Sequence, residues 1–175
     1  MPESIYFLKQ LSGKIRLIRI GFMLIPDFPL MTSSAALDSL RQGNRLAKRK
    51  VFERVLISVD GKAVKSSSGL GFEMDAAMAV APRCDVVIAC AATNYTEAYD
   101  PAIFAWFRRL YSEGCILGAV STAVFFFAKA GLPEGRRCAV HWNPWKTFAE
   151  SFPIVWLRTI SLPSTGEFCH PPEGL

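Results

Sequence analysis

Apolar and polar positions along the chain switch between the period of a strand and that of a helix. From Ile15 to Ile25, "IRLIRIGFMLI" begins as an alternation broken by Arg16 and Arg19 and ends in an unbroken apolar run, the pattern of a strand whose second half is buried on both faces. "PDFPL" interrupts it, and "TSSAALDSLRQGNRLA" (32–47) spaces Ala36, Leu37, Leu40 and Leu46 along one helical face, with the Thr32 hydroxyl as a capping candidate. "VFERVLISVDG" (51–61) predicts a second strand ended by an Asp-Gly turn, and "KAVKSSSGLGFE" a loop or short hairpin arm. "EMDAAMAVAP", from Glu73, predicts a short helix stopped by Pro82.

The β-branched run "CDVVIACA" has the composition of a central parallel strand, and "ATNYTEAYDP" follows it as a polar loop. "PAIFAWFRRLYSE" (101–113) opens with proline at a first helical position and aligns Ile103, Phe107 and Leu110. It also offers an apolar surface for pairing with a second copy. "CILGAV" predicts a further strand, then come a helix from Ser121 to about Ala130, the turn "GLPEGRR", the strand-like "RCAVH" and a helix over "NPWKTFAESF". After Phe152 the pattern decays into a proline-rich end, with a short strand, a turn and irregular chain.

Strands and helices therefore alternate, which predicts an α/β fold: a doubly wound, mostly parallel sheet with helices on both faces. In such sheets ligands bind beyond the carboxyl ends of the strands. Three segments end there, 26–32, 91–96 and 118–123. Residues 1–14 are read as an N-terminal extension and 15–175 as a single domain, since 175 residues suffice for one large core.

Composition narrows the function classes. A 51% hydrophobic, 20% charged chain is globular, and a net charge of +5 is too modest to mark a nucleic-acid footprint. Arg41, Arg45, Lys48, Arg49 and Lys50 read as a solvated helical face. Five cysteines without C-x-x-C spacing read as free thiols of a reducing cytoplasm, and His141 and His170 are too few to build a zinc site, so no metal or cofactor is expected. No signal peptide is recognisable, and the uncharged run 114–128 is too short to span a bilayer, which predicts no membrane partner.

One constellation carries candidate chemistry. Ser121 sits where a strand becomes a helix, and His141 follows a later strand, so a serine nucleophile with a histidine base is one reading. A serine at a helix start is more often a cap, and a hydroxyl needs a base and an orienting third group before it attacks.

"LGAVSTAVFFFAKAGLPEGRRCAVHW" resembles the nucleophile-bearing stretch of the class I glutamine amidotransferase-like (PfpI-like, flavodoxin-like) superfamily. It is similar in particular to the ligand-sensing N-terminal domain of AraC-family regulators of the GlxA type. The likeness extends through "GFMLIPDFPLMTSSAALDSLRQGNRL", "SVDGKAVKSSSGL", "CDVVIACAATN", "DPAIFAWFRR" and "FAESFP", covering roughly residues 15–153. In that alignment Ser121 stands in place of the catalytic cysteine, Thr32 where an acidic partner is common, and Ala123 where glycine follows the threonine, while His141 is retained.

The resemblance thus implies the scaffold and its pocket, and the departures argue against turnover: a thiol is partly ionised at neutral pH, a serine hydroxyl is not. It implies a non-catalytic sensor that binds a small nitrogenous effector, of amino-acid or quaternary-amine type, through Thr32, Thr93, Asn94, Ser121, Thr122, His141 and Trp142. It further implies a homodimer in the cytoplasm, with DNA reached only through a C-terminal helix-turn-helix domain absent from this chain. Trp142, Trp145 and Tyr95 could offer an aromatic face to a cation, though packing is the plainer role of each. The alternative is a serine-dependent hydrolase or amidotransferase-like enzyme using Ser121 and His141. A third reading is a dimerisation module without a pocket.

Overall fold

The computed structural model describes residues 16–92 and 94–132, and beyond these the backbone of three short strands. Strand β1 (Ile18–Leu24) leads through a loop into helix α1 (Leu30–Ala47), which returns to β2 (Phe52–Ser58). A hairpin of β3 (Val64–Lys65) and β4 (Gly71–Phe72) precedes β5 (Ala76–Ala77) and β6 (Val86–Ala91). Helix α2 (Pro101–Ser112) then connects to β7 (Ile116–Ser121), followed by the short α3 (Val124–Lys129) and by β8 (Arg137–Ala139), β9 (Trp156–Arg158) and β10 (Glu167–Phe168).

The main sheet has the order β10-β7-β6-β1-β2-β5 and is parallel except for β10, which pairs antiparallel with β7. The doubly wound architecture expected from the alternation is the one observed. Along β1, Ile18, Ile20, Phe22 and Leu24 pack with Leu37, Leu40 and other residues of α1 on one face. Met23 and Ile25 join Ile103, Trp106 and Phe107 of α2 and Phe126 and Phe127 of α3 on the other. A two-residue period is what divides one strand between two cores. Gly21 lies on the second face, where an added Cβ would meet Ile57 Cδ1 at 3.0 Å, Cys84 Sγ at 3.1 Å and Val87 Cγ2 at 3.2 Å.

Four sequence expectations change. The helix from Glu73 does not form: Asp75 N–H donates to the Leu56 carbonyl (2.8 Å), the Asp75 carboxylate accepts from Leu56 N–H (2.7 Å), and Ala76–Ala77 pair with Ile57–Ser58 as edge strand β5. Sheet pairing here overrides a high alanine content. Thr32 does not cap α1: the helix begins two residues earlier, with Pro29 as N-cap and no side-chain cap bond. The second apolar helix starts at Val124, not Ser121, because Ser121 closes β7 in a left-handed conformation. Finally, the apolar stripe of α2 faces inward: Ile103, Trp106, Phe107 and Leu110 are buried, which leaves Pro101, Ala102 and Ala105 as the exposed apolar positions of "PAIFAWF". Its start is as expected, with Pro101 in the first turn and the Asp100 carboxylate accepting from Ala102 N–H at 2.7 Å.

The helix expected over 143–152 lies outside the described residues.

Candidate functional site

Order along the sheet places the site. From β1 the chain moves outward to β2 and β5, then crosses back to β6 and continues to β7 on the other side. The order reverses between β1 and β6, and it is beyond the carboxyl ends of the strands at such a reversal that doubly wound sheets take ligands. The last ladder contacts before that edge are Leu24 opposite Cys90 and the Ile25 N–H donating to the Cys90 carbonyl (3.0 Å).

Four described residues other than glycine have positive φ: Asp27 (63°), Lys48 (53°), Asn94 (57°) and Ser121 (58°). Lys48 is the C-cap of α1, an ordinary place for this conformation. The other three stand just past or at the carboxyl ends of β1, β6 and β7, three adjacent strands. A left-handed L-residue is strained, and such residues concentrate where a side chain must be presented in one direction.

Across the reversal point the Asn94 side-chain amide donates to Asp27 Oδ2 at 3.2 Å. The loop carrying Asp27 is held from beneath and from the side. Phe28 is 1% exposed and packs edge-on to Phe72 of the hairpin at 5.5 Å. Asp27 N–H donates to the Lys65 carbonyl (3.0 Å), and Ser67 N–H to the Phe28 carbonyl (3.0 Å).

Ser121 pairs with Ala91 in the ladder and is exposed at the strand's end. Thr122, beside it, is taken up by the scaffold: its N–H donates to the Ala91 carbonyl (3.1 Å) and its hydroxyl to the Ala92 carbonyl (2.7 Å). The turn is thereby stapled to β6, leaving Ser121 as the presented hydroxyl. Behind it, Phe125, Phe126 and Phe127 are buried, so the apolar run anchors the elbow from the core side.

After Asn94 the loop expected to be irregular forms a turn of 3-10 helix, Tyr95–Ala98. Tyr95 stacks on Phe125 with 4.7 Å between centroids, and Tyr99 meets Phe126 at 5.1 Å. Packing is therefore the observed role of Tyr95, and burial raises its phenol above the ordinary value. The same cause raises Tyr99, with a smaller push from Tyr95.

Of the residues the sequence singled out, Asn94 and Ser121 come to one edge. Thr32 lies in the first turn of α1, half-buried, its hydroxyl 3.5 Å from the Pro29 carbonyl. Thr93, His141 and Trp142 lie outside the described residues. Asp27 was missed. The signal was present in "PDFP", an aspartate between prolines just past a buried strand, since aspartate tolerates the left-handed region.

Below this edge, Cys90 is fully buried and burial pushes its thiol up to about 11, offset slightly by the Ser33 hydroxyl. Among the described residues Ser33 Oγ is buried without a hydrogen-bond partner of good geometry. Cys84, Cys90 and Cys115 are all free and buried, as expected. No group of three metal-ligating side chains occurs among the described residues, and no helix there is long and apolar enough to cross a membrane.

Comparison with known proteins identifies the family and agrees with the fold. The sequence profile of the DJ-1/PfpI family matches residues 19–151. The chain is 34% identical over 140 residues to the HTH-type transcriptional regulator GbdR of Pseudomonas aeruginosa, covering 80% of this chain and 38% of that protein. It is 35% identical over 136 residues to the HTH-type transcriptional regulator GlxA of Rhizobium meliloti, covering 77% and 42%. It therefore spans about two fifths of the length of these curated relatives. In fold it is similar to an AraC family transcriptional regulator from Pseudomonas putida, with a TM-score of 0.74 at 23% identity over 82% of this chain and 77% of that one.

Proposed function

The chain belongs to the DJ-1/PfpI family, and from that footing we propose that it is the non-catalytic, small-molecule-sensing domain of an AraC-type transcriptional regulator. Residues 15–175 form one sensor domain, which dimerises in the cytoplasm and reaches DNA through a separate helix-turn-helix domain. The effector is a small nitrogenous metabolite, an amino acid or quaternary amine, held at the carboxyl ends of β1, β6 and β7 by Asn94 and Ser121. Thr32, Thr93, His141 and Trp142 complete the lining, and Thr122 serves as the strut that sets Ser121.

The observation that carries this reading is the chemistry at the elbow: the left-handed residue ending β7 is Ser121, whose side chain is a hydroxyl. A hydroxyl accepts and donates hydrogen bonds at neutral pH without ionising, which suits holding a polar ligand. That relatives sharing a third of the sequence are named as transcriptional regulators supports it.

A thermal-shift screen against amino acids, quaternary amines and polyamines tests the proposal, with Ser121→Phe as the blocking variant. The expected result is stabilisation of the wild-type chain by one chemical class and its loss in the variant. Stabilisation by no metabolite of any charge would contradict the sensing role.

The strained elbow favours one second reading, a serine hydrolase using Ser121 with His141, because a nucleophile at a strand-to-helix turn is presented in this way. It requires covalent labelling by a fluorophosphonate at Ser121, lost in Ser121→Ala. The sensor reading expects none.

A further inference from the structure

We infer that Asp27 is the charge-reading residue of the site at the strand ends and that it takes a cationic group of the ligand, an ammonium or guanidinium. This deepens the sensor reading and rests on it.

Asp27 has φ 63° although glycine would adopt that conformation without strain, so what the position retains is the carboxylate. The strain is held in place by packing on both sides. Phe28 is locked in the core against Phe72, and the hairpin backbone at Lys65 and Ser67 bonds to residues 27 and 28. Asp27 is half-buried at the strand-order reversal, and one carboxylate oxygen accepts from Asn94 Nδ2 at 3.2 Å in an exposed hydrogen bond. The amide donor is neutral. Among the described residues no Lys or Arg nitrogen lies within ion-pair distance of Asp27, a lack it shares with Glu73, Glu97 and Asp100, but of these Asp27 alone stands at the strand-order reversal.

A half-buried carboxylate gives up part of its hydration, and a single neutral donor leaves most of its acceptor capacity open. A ligand cation supplies the missing charge, and charge-assisted hydrogen bonds are about twice as strong as neutral ones. Beside it, Asn94 and Ser121 present neutral polar groups, so the positive end of a ligand goes to β1 and its uncharged or hydrogen-bonding parts toward β7. An aspartate at this point also repels an anion, which gives discrimination as well as affinity.

Two pairs of probes differing in charge but little in shape test this on the whole 175-residue chain: choline against 3,3-dimethyl-1-butanol, and L-arginine against L-citrulline. Binding is read by calorimetry on wild type, Asp27→Asn and Asp27→Gly. Both substitutions suit the left-handed backbone, so melting temperatures at or above wild type are expected and a loss of binding cannot be ascribed to misfolding. The expected result is that a cation binds at least tenfold more tightly than its uncharged partner and that Asp27→Asn removes this preference, weakening the cation at least tenfold and leaving the uncharged partner unchanged. Equal affinity within both pairs, cation binding insensitive to Asp27→Asn, or no binding by either cation would overturn the inference. Stabilisation of the chain by a neutral or anionic metabolite alone would overturn it while leaving the sensor reading intact. Absence of any stabilising metabolite would remove both.

Discussion

Asp27 and Asn94, separated by 67 positions in the sequence, meet through a 3.2 Å hydrogen bond across the point where the strand order reverses. Each is left-handed, and each follows a strand whose interior is almost wholly buried. The contact joins the two halves of the sheet at the edge where the proposed ligand sits, and ties the loop after β1 to the loop after β6. Such a tie lowers the ordering cost of binding.

The left-handed elbow makes Ser121 a test of strain retained for a side chain. Ser121 is exposed, so replacing it changes little packing. Ser121→Gly is expected to stabilise the chain by about 0.5–1 kcal/mol, because relief of a left-handed L-residue outweighs the added freedom of glycine in the unfolded state. Ser121→Val, β-branched at the same φ, is expected to destabilise it by about 1–2 kcal/mol. Urea unfolding of the two variants gives both values, and a stability gain in the glycine variant should accompany weaker ligand binding.

Gly21 is where β1 and β6 approach under α2. An alanine methyl would sit 3.0–3.2 Å from three side chains, closer than ordinary carbon contacts. Gly21→Ala is expected to cost about 1–3 kcal/mol by overpacking. For a chain of this size that lowers the melting temperature by roughly 2–4 °C per kcal/mol, measurable by circular dichroism.

Alkaline pH should destabilise the fold through its buried thiols. Burial raises Cys90 from 9.0 to about 11 and Cys115 to about 12, so between these limits the native chain keeps protons that the unfolded chain has lost. Stability is then full below pH 9 and falls as pH rises from 9 toward 11 and 12. Unfolding free energies measured in steps from pH 8 to pH 11 should decline, and Cys90→Ala should make the decline between pH 9 and 11 shallower, Cys115 supplying the remainder. An unchanged slope in that variant would assign the decline to other groups.

The fold was largely legible because its central strands are written in β-branched and apolar runs, "VVIACA" and "ILGAV", that no other element would bury as well. The stretch after Glu73 was not, since "DAAMAVAP" has helical composition and only Asp75, bonded to Leu56 through both backbone and side chain, turns it to the sheet edge. Two of the three left-handed positions at this edge, Asn94 and Ser121, were singled out from sequence. Ser121 ends and Asn94 follows an obvious strand, whereas Asp27 sits in a short proline-flanked break that reads as mere punctuation. Its role depends on Asn94, which periodicity cannot bring near it. The inward turn of the α2 stripe was not legible for a related reason: an apolar stripe identifies a face to be covered, not what covers it.

The central claim is that this strand-end site holds a metabolite without transforming it. Proton NMR of a stabilising metabolite incubated with the chain for a day, at a tenfold molar excess of metabolite, tests it most directly. Broadened or shifted signals whose total intensity stays constant are the predicted result. New resonances growing past one equivalent of product per protein chain, and absent with Ser121→Ala, would contradict it.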